Sequence, residues 1–178
     1  MDSSLIRRNR ALEIRIGRAE VKAPGASGID GGIGLLARTH LSSGQSINDG
    51  SEDIIDFDTV DYDPGAGITT GAAWHFTVPT NGWYRVYLSN GYIEAGAVWG
   101  ASTGLQANVY VNGSVVGFVG YHDCGAAANS SHAANLSGGT TAPTQLTAGD
   151  TIALKVDNFS GAARTLGGTA AIEIDRVA

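Results

Sequence analysis

Seven acidic side chains lie close together in the first half of the sequence and offer hard oxygen ligands. They are Asp49, Glu52, Asp53, Asp56, Asp58, Asp61 and Asp63. Ca²⁺ takes several such oxygens, and its candidate ligands here are Asp56, Asp58, Asp61 and Asp63. The segment has no EF-hand spacing, however, and strand alternation around Phe57 turns Asp56 and Asp58 to solvent if Phe57 is buried. We therefore predict a solvated acidic edge that protects a strand from unwanted pairing, with calcium as the alternative.

The histidines and the single cysteine are the other residues that could do chemistry. The histidines are His40, His75, His122 and His132. Their spacing matches no metal-ligand motif, and we expect none of them to lie near a plausible nucleophile, so we predict no metal site. In the segment His122-Asp123-Cys124, neighbours on a strand or loop seldom face each other, which argues against a catalytic pair. One cysteine forms no intrachain disulfide, and Cys124 fits a small, partly buried side chain.

Glycine-rich stretches and glycosylation sequences add no activity. Gly65-Ala66-Gly67 and Gly138-Gly139 lack the lysine or the strand-to-helix context of a phosphate-binding loop. Four N-x-S/T sequences occur, at Asn112, Asn129, Asn135 and Asn158. We expect no signal peptide and no transmembrane segment, so these sequences are predicted to be coincidental. The sequence therefore predicts a protein that is not an enzyme and needs no cofactor.

Aromatic side chains could line a carbohydrate site. They are Trp74, Trp83, Trp99, Tyr84, Tyr87, Tyr92, Tyr110 and Tyr121. We predict that most of them belong to the core or to a subunit interface, because aromatic residues dominate both. Trp99 lies in a glycine-rich stretch and is expected to be exposed. Trp99 and His122 are therefore the candidates for a ligand-binding loop.

Charge divides the chain into a basic arm and an acidic body. Residues 1–22 carry six bases against three acids, a net charge of +3, and the remainder has a net charge of −9, which gives −6 for the 178 residues. Apolar residues alternate at positions 12, 14 and 16, which is the period of a strand. Such an arm could pair with its own body or add a strand to a neighbour's sheet. The residues that we expect to contact a partner are Arg7, Arg8, Arg10, Leu12, Ile14, Arg15, Ile16 and Arg18.

The rest of the chain reads as short strands separated by turns. A Gly/Pro-rich linker ends the arm, so the predicted domains are residues 1–33 and 34–178. The predicted strands are 35–40, 54–57, 71–78, 82–89, 106–111, 114–119, 151–156 and 169–176. Pro79 should end one strand, and Asn81-Gly82 should supply positive φ for the turn into the next, with Tyr84 and Val86 on one face. This pattern predicts an all-β jelly-roll sandwich of about eight to ten strands.

The ordered motifs resemble those of the globular head of complement's collagen-tailed recognition subunit and, more distantly, the tumour necrosis factor (TNF) superfamily. The family's G-x-F-T-x-P-x-x-G-x-Y segment is similar to residues 74–84, with Phe76, Pro79 and Tyr84 at matching positions. Residues 55–58 and 145–156 resemble two further motifs, and residues 109–113 resemble the family's V-x-x-N-G hairpin, which implies a turn at Asn112-Gly113. The family's closing F-x-G-F segment is absent, and so is a collagen-like repeat. The resemblance implies the jelly-roll fold and a threefold trimer.

These observations lead to an expected function. We expect a structural virion protein: a trimeric decoration or cement protein on the exterior of a phage capsid, made in the host cytoplasm. Its partners would be itself and the major capsid protein, gripped by the arm, with no nucleic acid and no membrane. One alternative is a receptor-binding or tail-fibre head that binds host glycans. Another is a complement-like ligand-binding module.

Overall fold

The protein is described here from a computed structural model, which covers residues 33–125, 131–140 and 142–178. The predicted arm residues, from Arg7 to Arg18, lie outside the described residues, and so does Asn129. The predicted boundary between arm and body therefore stays a prediction. Ile33 is exposed, and the first strand begins immediately after it.

The described residues form sixteen strands and no helix, so none of them belongs to a helix that could cross a membrane. The strands are β1 (Gly34–His40), β2 (Gln45–Ile47), β3 (Ser51–Ile54), β4 (Thr59–Tyr62), β5 (Ile68–Thr69), β6 (His75–Thr77), β7 (Gly82–Ser89), β8 (Tyr92–Ile93), β9 (Gly104–Val111), β10 (Ser114–Asp123), β11 (Ala134–Asn135), β12 (Gly138–Gly139), β13 (Thr144–Leu146), β14 (Thr151–Asn158), β15 (Arg164–Leu166) and β16 (Ala171–Arg176). The eight predicted segments each contain all or part of a strand. The additional strands are two to four residues long, too short for a periodic signal.

Two large antiparallel sheets enclose the core. One has the order β12-β7-β16-β1-β4, with β13 also paired to β7, and the other has the order β10-β9-β14-β6-β5, with β3 also paired to β14. A smaller sheet, β11-β8-β15-β2, closes one side. Every second side chain of β7 and of β14 is buried, which places one face of each large sheet against the core. The prediction that Tyr84 and Val86 share one face of β7 is confirmed, and this face is the buried one.

The two predicted turns have different outcomes. Asn112-Gly113 joins β9 to β10, and its φ values of 49° and 80° are the positive angles that a tight two-residue hairpin requires. The prediction for Asn81-Gly82 is wrong, because neither residue has positive φ and β6 and β7 lie in different sheets. Gly82 is needed for space instead: a Cβ there would lie 2.4 Å from Nε of Arg176.

Strands from opposite ends of the described chain are neighbours. β16 lies between β7 and β1, and its Arg176 is paired with Gly34. The backbone of Trp83 accepts a hydrogen bond from Val177 and donates one to the carbonyl of Ala178. The first strand of the body and its last residues therefore lie side by side, where the start of β1 meets the end of β16.

Candidate functional site

Trp99 is buried, so the prediction that it is exposed is wrong. Its exposed fraction is 0%, and its indole Nε1 donates a hydrogen bond to the carbonyl of His132 at 2.9 Å. The guanidinium carbon of Arg164 lies 3.8 Å from the centre of the indole ring on one side. Trp99 therefore organises its surroundings and offers no face to a ligand from solvent.

Three potential metal ligands meet beside Trp99. Nε2 of His122 lies 3.3 Å from Nε2 of His132, and Sγ of Cys124 lies 3.4 Å and 3.8 Å from these two nitrogens. All three side chains are partly buried. His122 and Cys124 therefore do face each other, contrary to the expectation for near neighbours in sequence.

The strand pairing of β10 positions two of the three side chains. His122 is paired with Leu105 of β9, and the amide of Cys124 donates to the carbonyl of Thr103 at 3.0 Å. Gly104 permits this approach, because a Cβ at that position would lie 2.1 Å from the carbonyl oxygen of His122. His122 and Cys124 are two positions apart, and such residues point to the same side of an extended chain.

The third side chain comes from the segment before β11. His132 is held there by its carbonyl, which accepts the indole hydrogen bond of Trp99. Next to it, the hydroxyl of Ser131 donates to the carbonyl of Gly96 at 2.7 Å. The rings of His122 and His132 both pack on Trp99, with centroid distances of 4.9 Å and 5.5 Å. The three side chains of the cluster thus come from two separate segments and meet beside one indole.

Arg164 fixes the far side of the indole. This β15 residue is 2% exposed, and its Nε donates to Oγ of Ser160 at 2.8 Å. Its Nη1 and Nη2 donate to the carbonyls of Ala97 and Val98 at 2.5 Å and 3.2 Å. A buried cation with this many hydrogen bonds, stacked on an indole, holds the loop around Trp99 in one conformation.

The surroundings of the cluster disfavour the charged forms of His122 and Cys124. Burial lowers the pKa of His122, and the positive charges of His132 and Arg164 lower it further against the opposing effect of Asp123. Burial also raises the pKa of the Cys124 thiol, although Arg164 partly counteracts this. At neutral pH the imidazole of His122 is uncharged and the thiol is protonated, which is not the thiolate of an activated nucleophile. The geometry therefore suits coordination better than covalent catalysis.

The spacing of histidines and cysteine along the sequence does not reveal this cluster. His132 lies ten residues beyond His122, and that separation belongs to no regular motif. The alternation of His122 and Cys124 was the available signal, because it places an imidazole and a thiol on one side of a strand. The burial of Trp99 was not readable from its glycine-rich neighbourhood.

The acidic candidates for calcium binding do not converge on one point, and three of the four are engaged separately. The candidates are Asp56, Asp58, Asp61 and Asp63. The carboxylate of Asp58 accepts hydrogen bonds from the amide and the hydroxyl of Ser42. The carboxylate of Asp61 lies 3.0 Å from Nδ1 of His40. The carboxylate of Asp63 accepts hydrogen bonds from the amides of residues 67–68. Within residues 33–125, 131–140 and 142–178, the single ligand cluster is the one at His122, and it contains no carboxylate.

A second candidate surface is the outer edge of the sheet that ends in β10. Val115, Val116, Phe118 and Tyr121 of this strand are between 43% and 58% exposed. β10 has β9 on one side and no hydrogen-bonded strand of its sheet on the other, within the described residues. A surface groove of about 400 Å³ lies between this strand and residues 140 and 142–145. Exposed apolar side chains on an unpaired edge are typical of an interaction surface.

Comparisons with solved structures define the class of fold. The chain is similar to the structure of Eiger TNF from S. frugiperda, with a TM-score of 0.53 and 17% identity over 83% of this chain and 94% of that one. A crystal structure of murine APRIL matches with a TM-score of 0.45 and 16% identity, over 79% of this chain and 98% of that one. The body is thus a TNF-like jelly roll, which confirms the predicted fold class. No protein-family model and no curated protein sequence matches the chain.

Proposed function

We propose that this protein is a structural module without catalytic activity, which forms trimers through its TNF-like body and decorates a phage capsid through its N-terminal arm. The observation that carries the self-association is the exposed apolar edge of β10. Its four large side chains are 43–58% exposed, so covering them completely with a neighbouring subunit would contribute about half of the roughly 1.5–3 kcal/mol that full burial of such a side chain supplies.

The shape of the body supports a ring of subunits. The edge strand of one sheet and the outer face of the other sheet are two different surfaces of the subunit. When one surface of each subunit binds the other surface of the next, the subunits form a closed ring if the rotation between neighbours divides a full turn evenly. The outer face of the sheet β12-β7-β16-β1-β4 offers Trp83, which is 43% exposed. The sequence resemblance implies threefold symmetry, so we assign three subunits to the ring.

The arm supports attachment to a larger partner. It carries a net charge of +3, whereas the rest of the chain carries −9. Ile33 and Gly34, where the described residues begin, are exposed, so β1 begins at the surface of the body. A basic segment with alternating apolar residues suits strand addition to an acidic partner surface, and three arms per trimer would multiply a weak contact. The major capsid protein is the partner that we propose.

The two alternatives receive less support. A glycan-binding fibre head was suggested by an exposed Trp99, but this indole lies in the interior between Arg164 and the two histidines. A complement-like ligand-binding module shares the fold with our proposal and has no separate observation in its favour. A gene position beside a major capsid gene would favour decoration over both.

The experiment compares the full chain with three variants. Light scattering after gel filtration measures the number of subunits per particle. Co-sedimentation with capsids that were assembled without this protein measures capsid binding. We expect Val116→Glu to convert trimer to monomer, because it places a charge in the apolar edge. Val98→Glu, at a loop valine that is 53% exposed against 43% for Val116, should keep the trimer. Deletion of residues 1–22 should leave the trimer intact and abolish capsid binding. A monomeric full chain would refute the trimer, and capsid binding that survives the deletion would refute the role of the arm.

A further inference from the structure

We propose that His122, Cys124 and His132 bind one Zn²⁺ ion through two imidazole nitrogens and one thiolate, with a fourth coordination position left open. This site does not depend on the proposed self-association, because all three ligands come from one chain.

The distances between the ligand atoms match a tetrahedral zinc site. With Zn–N bonds of about 2.0–2.1 Å and a Zn–S bond of about 2.3 Å, a tetrahedral angle separates two nitrogens by about 3.3–3.4 Å and a nitrogen from a sulfur by about 3.6 Å. The two Nε2 atoms are 3.3 Å apart, and Sγ lies 3.4 Å and 3.8 Å from them. All three distances between ligand atoms therefore agree with the tetrahedral values to within about 0.2 Å.

Hydrogen bonds alone satisfy this triangle poorly. Each Nε2 carries either one hydrogen or one lone pair, so it can pair with only one of its two close neighbours. A thiol likewise has a single hydrogen to donate. A cation at the centre satisfies both nitrogens and the sulfur at once, and the thiol releases its proton to solvent when the metal binds.

The surroundings hold the ligands in position. Trp99 lies edge-on to the ring of His122, with an interplanar angle of 63°, and is stacked on the ring of His132 at 28°. The backbone of Cys124 is tied to Thr103, and the carbonyl of His132 is tied to the indole. Such outer contacts fix the orientation of metal ligands and reduce the cost of assembling the site.

The ligand set selects the class of metal. Two imidazoles and a thiolate are too soft for Ca²⁺ or Mg²⁺, which take oxygen ligands, and they are typical of zinc. Three protein ligands also leave one position of a tetrahedral ion for water or an external ligand. The described residues bring no carboxylate into the cluster, so the fourth ligand would come from outside it.

The test titrates the metal-free full chain with Zn²⁺ and, separately, with Co²⁺. We expect one Zn²⁺ per chain, a rise in the melting temperature on binding, and a cobalt spectrum with tetrahedral d–d bands and a thiolate-to-cobalt charge-transfer band. Cys124→Ser should abolish the charge-transfer band, and His132→Gln should weaken zinc binding by about tenfold or more. His75→Gln serves as the matched control, because His75 bonds to Ala73 and Thr69 outside the cluster.

Each outcome decides the proposal. Absence of saturable binding by the folded full chain would overturn it, and so would zinc binding that Cys124→Ser and His132→Gln leave unchanged. A cobalt spectrum of an octahedral site without charge transfer would also overturn it. The cobalt spectrum of the unmodified chain remains decisive even if a variant fails to fold.

Discussion

Asn158 shows how a single buried amide ties separate segments together. It is 0% exposed, and its Nδ2 donates to the carbonyls of Ile47 and Ala162, both at 2.9 Å. Its Oδ1 accepts from the amide of Ser160 at 3.0 Å. The side chain thus links β2 to the turn after β14. An amide enclosed in this way cannot serve as a glycosylation acceptor in the folded protein, although its sequence matches one.

We expect Asn158→Ala to lower the free energy of unfolding by about 2–4 kcal/mol, because two carbonyls and one amide lose their partner in the interior. Urea unfolding measures the effect. Asn135→Ala is the matched control: Asn135 lies in a similar tripeptide, but it is exposed and makes one bond, to the amide of Ser137. Its expected cost is below about 1 kcal/mol. Equal costs for both variants would contradict our account of Asn158.

Residue types predicted the environment of side chains only where strand periodicity was clear. The burial of Tyr84 follows from its alternation along β7, and the structure agrees. Trp99 and His132 lie in irregular segments, where no period fixes which side chain faces inward. Their meeting depends on β8, β11 and β15 coming together in one small sheet, a long-range arrangement that local sequence does not encode.

At the scale of elements, β10 departs most from a regular strand. Its pairing with β9 shifts register between Val115 and Gly117 and again between Phe118 and Gly120. Bulges of this kind bend a strand and change which side chains face the core. After the second shift, Val119 is buried and Gly120 packs directly on the backbone of Leu136.

The two bulge-flanking glycines allow a matched comparison. A Cβ at Gly120 would lie 1.6 Å from the carbonyl oxygen of Leu136, whereas a Cβ at Gly117 has no neighbour within 4 Å. We expect Gly120→Ala to destabilise the fold by about 2 kcal/mol or more, because the backbones must separate. Gly117→Ala should be neutral or stabilising by up to about 1 kcal/mol. Thermal unfolding of both variants tests this, and a tolerated Gly120→Ala would show that the approach is looser than described.

The regular elements were more predictable than their connections. The bounds of β7 and the turn at Asn112-Gly113 follow directly from alternation and from residues that accept positive φ. The segment at Asn81 carries the same Asn-Gly signal, yet there the chain crosses from one large sheet to the other. Asn81 instead accepts a hydrogen bond from the amide of Ala148. Local sequence cannot distinguish these two uses, because the difference lies in the distant partner.

At the scale of the whole molecule, β16 joins parts of the chain that are far apart in sequence. It is hydrogen-bonded to β7 on one side and to β1 on the other, and its Ile172 and Ile174 are buried. Removing it would expose both neighbours at once and open the core. The sheet therefore depends on the last strand of the chain to become continuous.

We expect deletion of residues 171–178 to abolish cooperative thermal unfolding, because the central position of one large sheet becomes empty. The control is deletion of residues 177–178, which removes two backbone hydrogen bonds to Trp83 and should cost only about 1–3 kcal/mol. Circular dichroism during heating distinguishes the two. A sharp transition in the longer deletion would show that the sheet closes without β16.

The pairing of Gly34 with Arg176 brings the two ends of the body together, so the order of its strands along the chain could be permuted. Residues directly opposite each other on antiparallel strands lie about 5 Å apart, so a short linker could join the two ends of the body. New termini could then be opened at the Asn112-Gly113 turn, because exposed turns are common sites of tolerated permutation. In a circular permutant of this kind, a segment attached to the chain terminus would start at the tip of the β9–β10 hairpin and not beside β1 and β16.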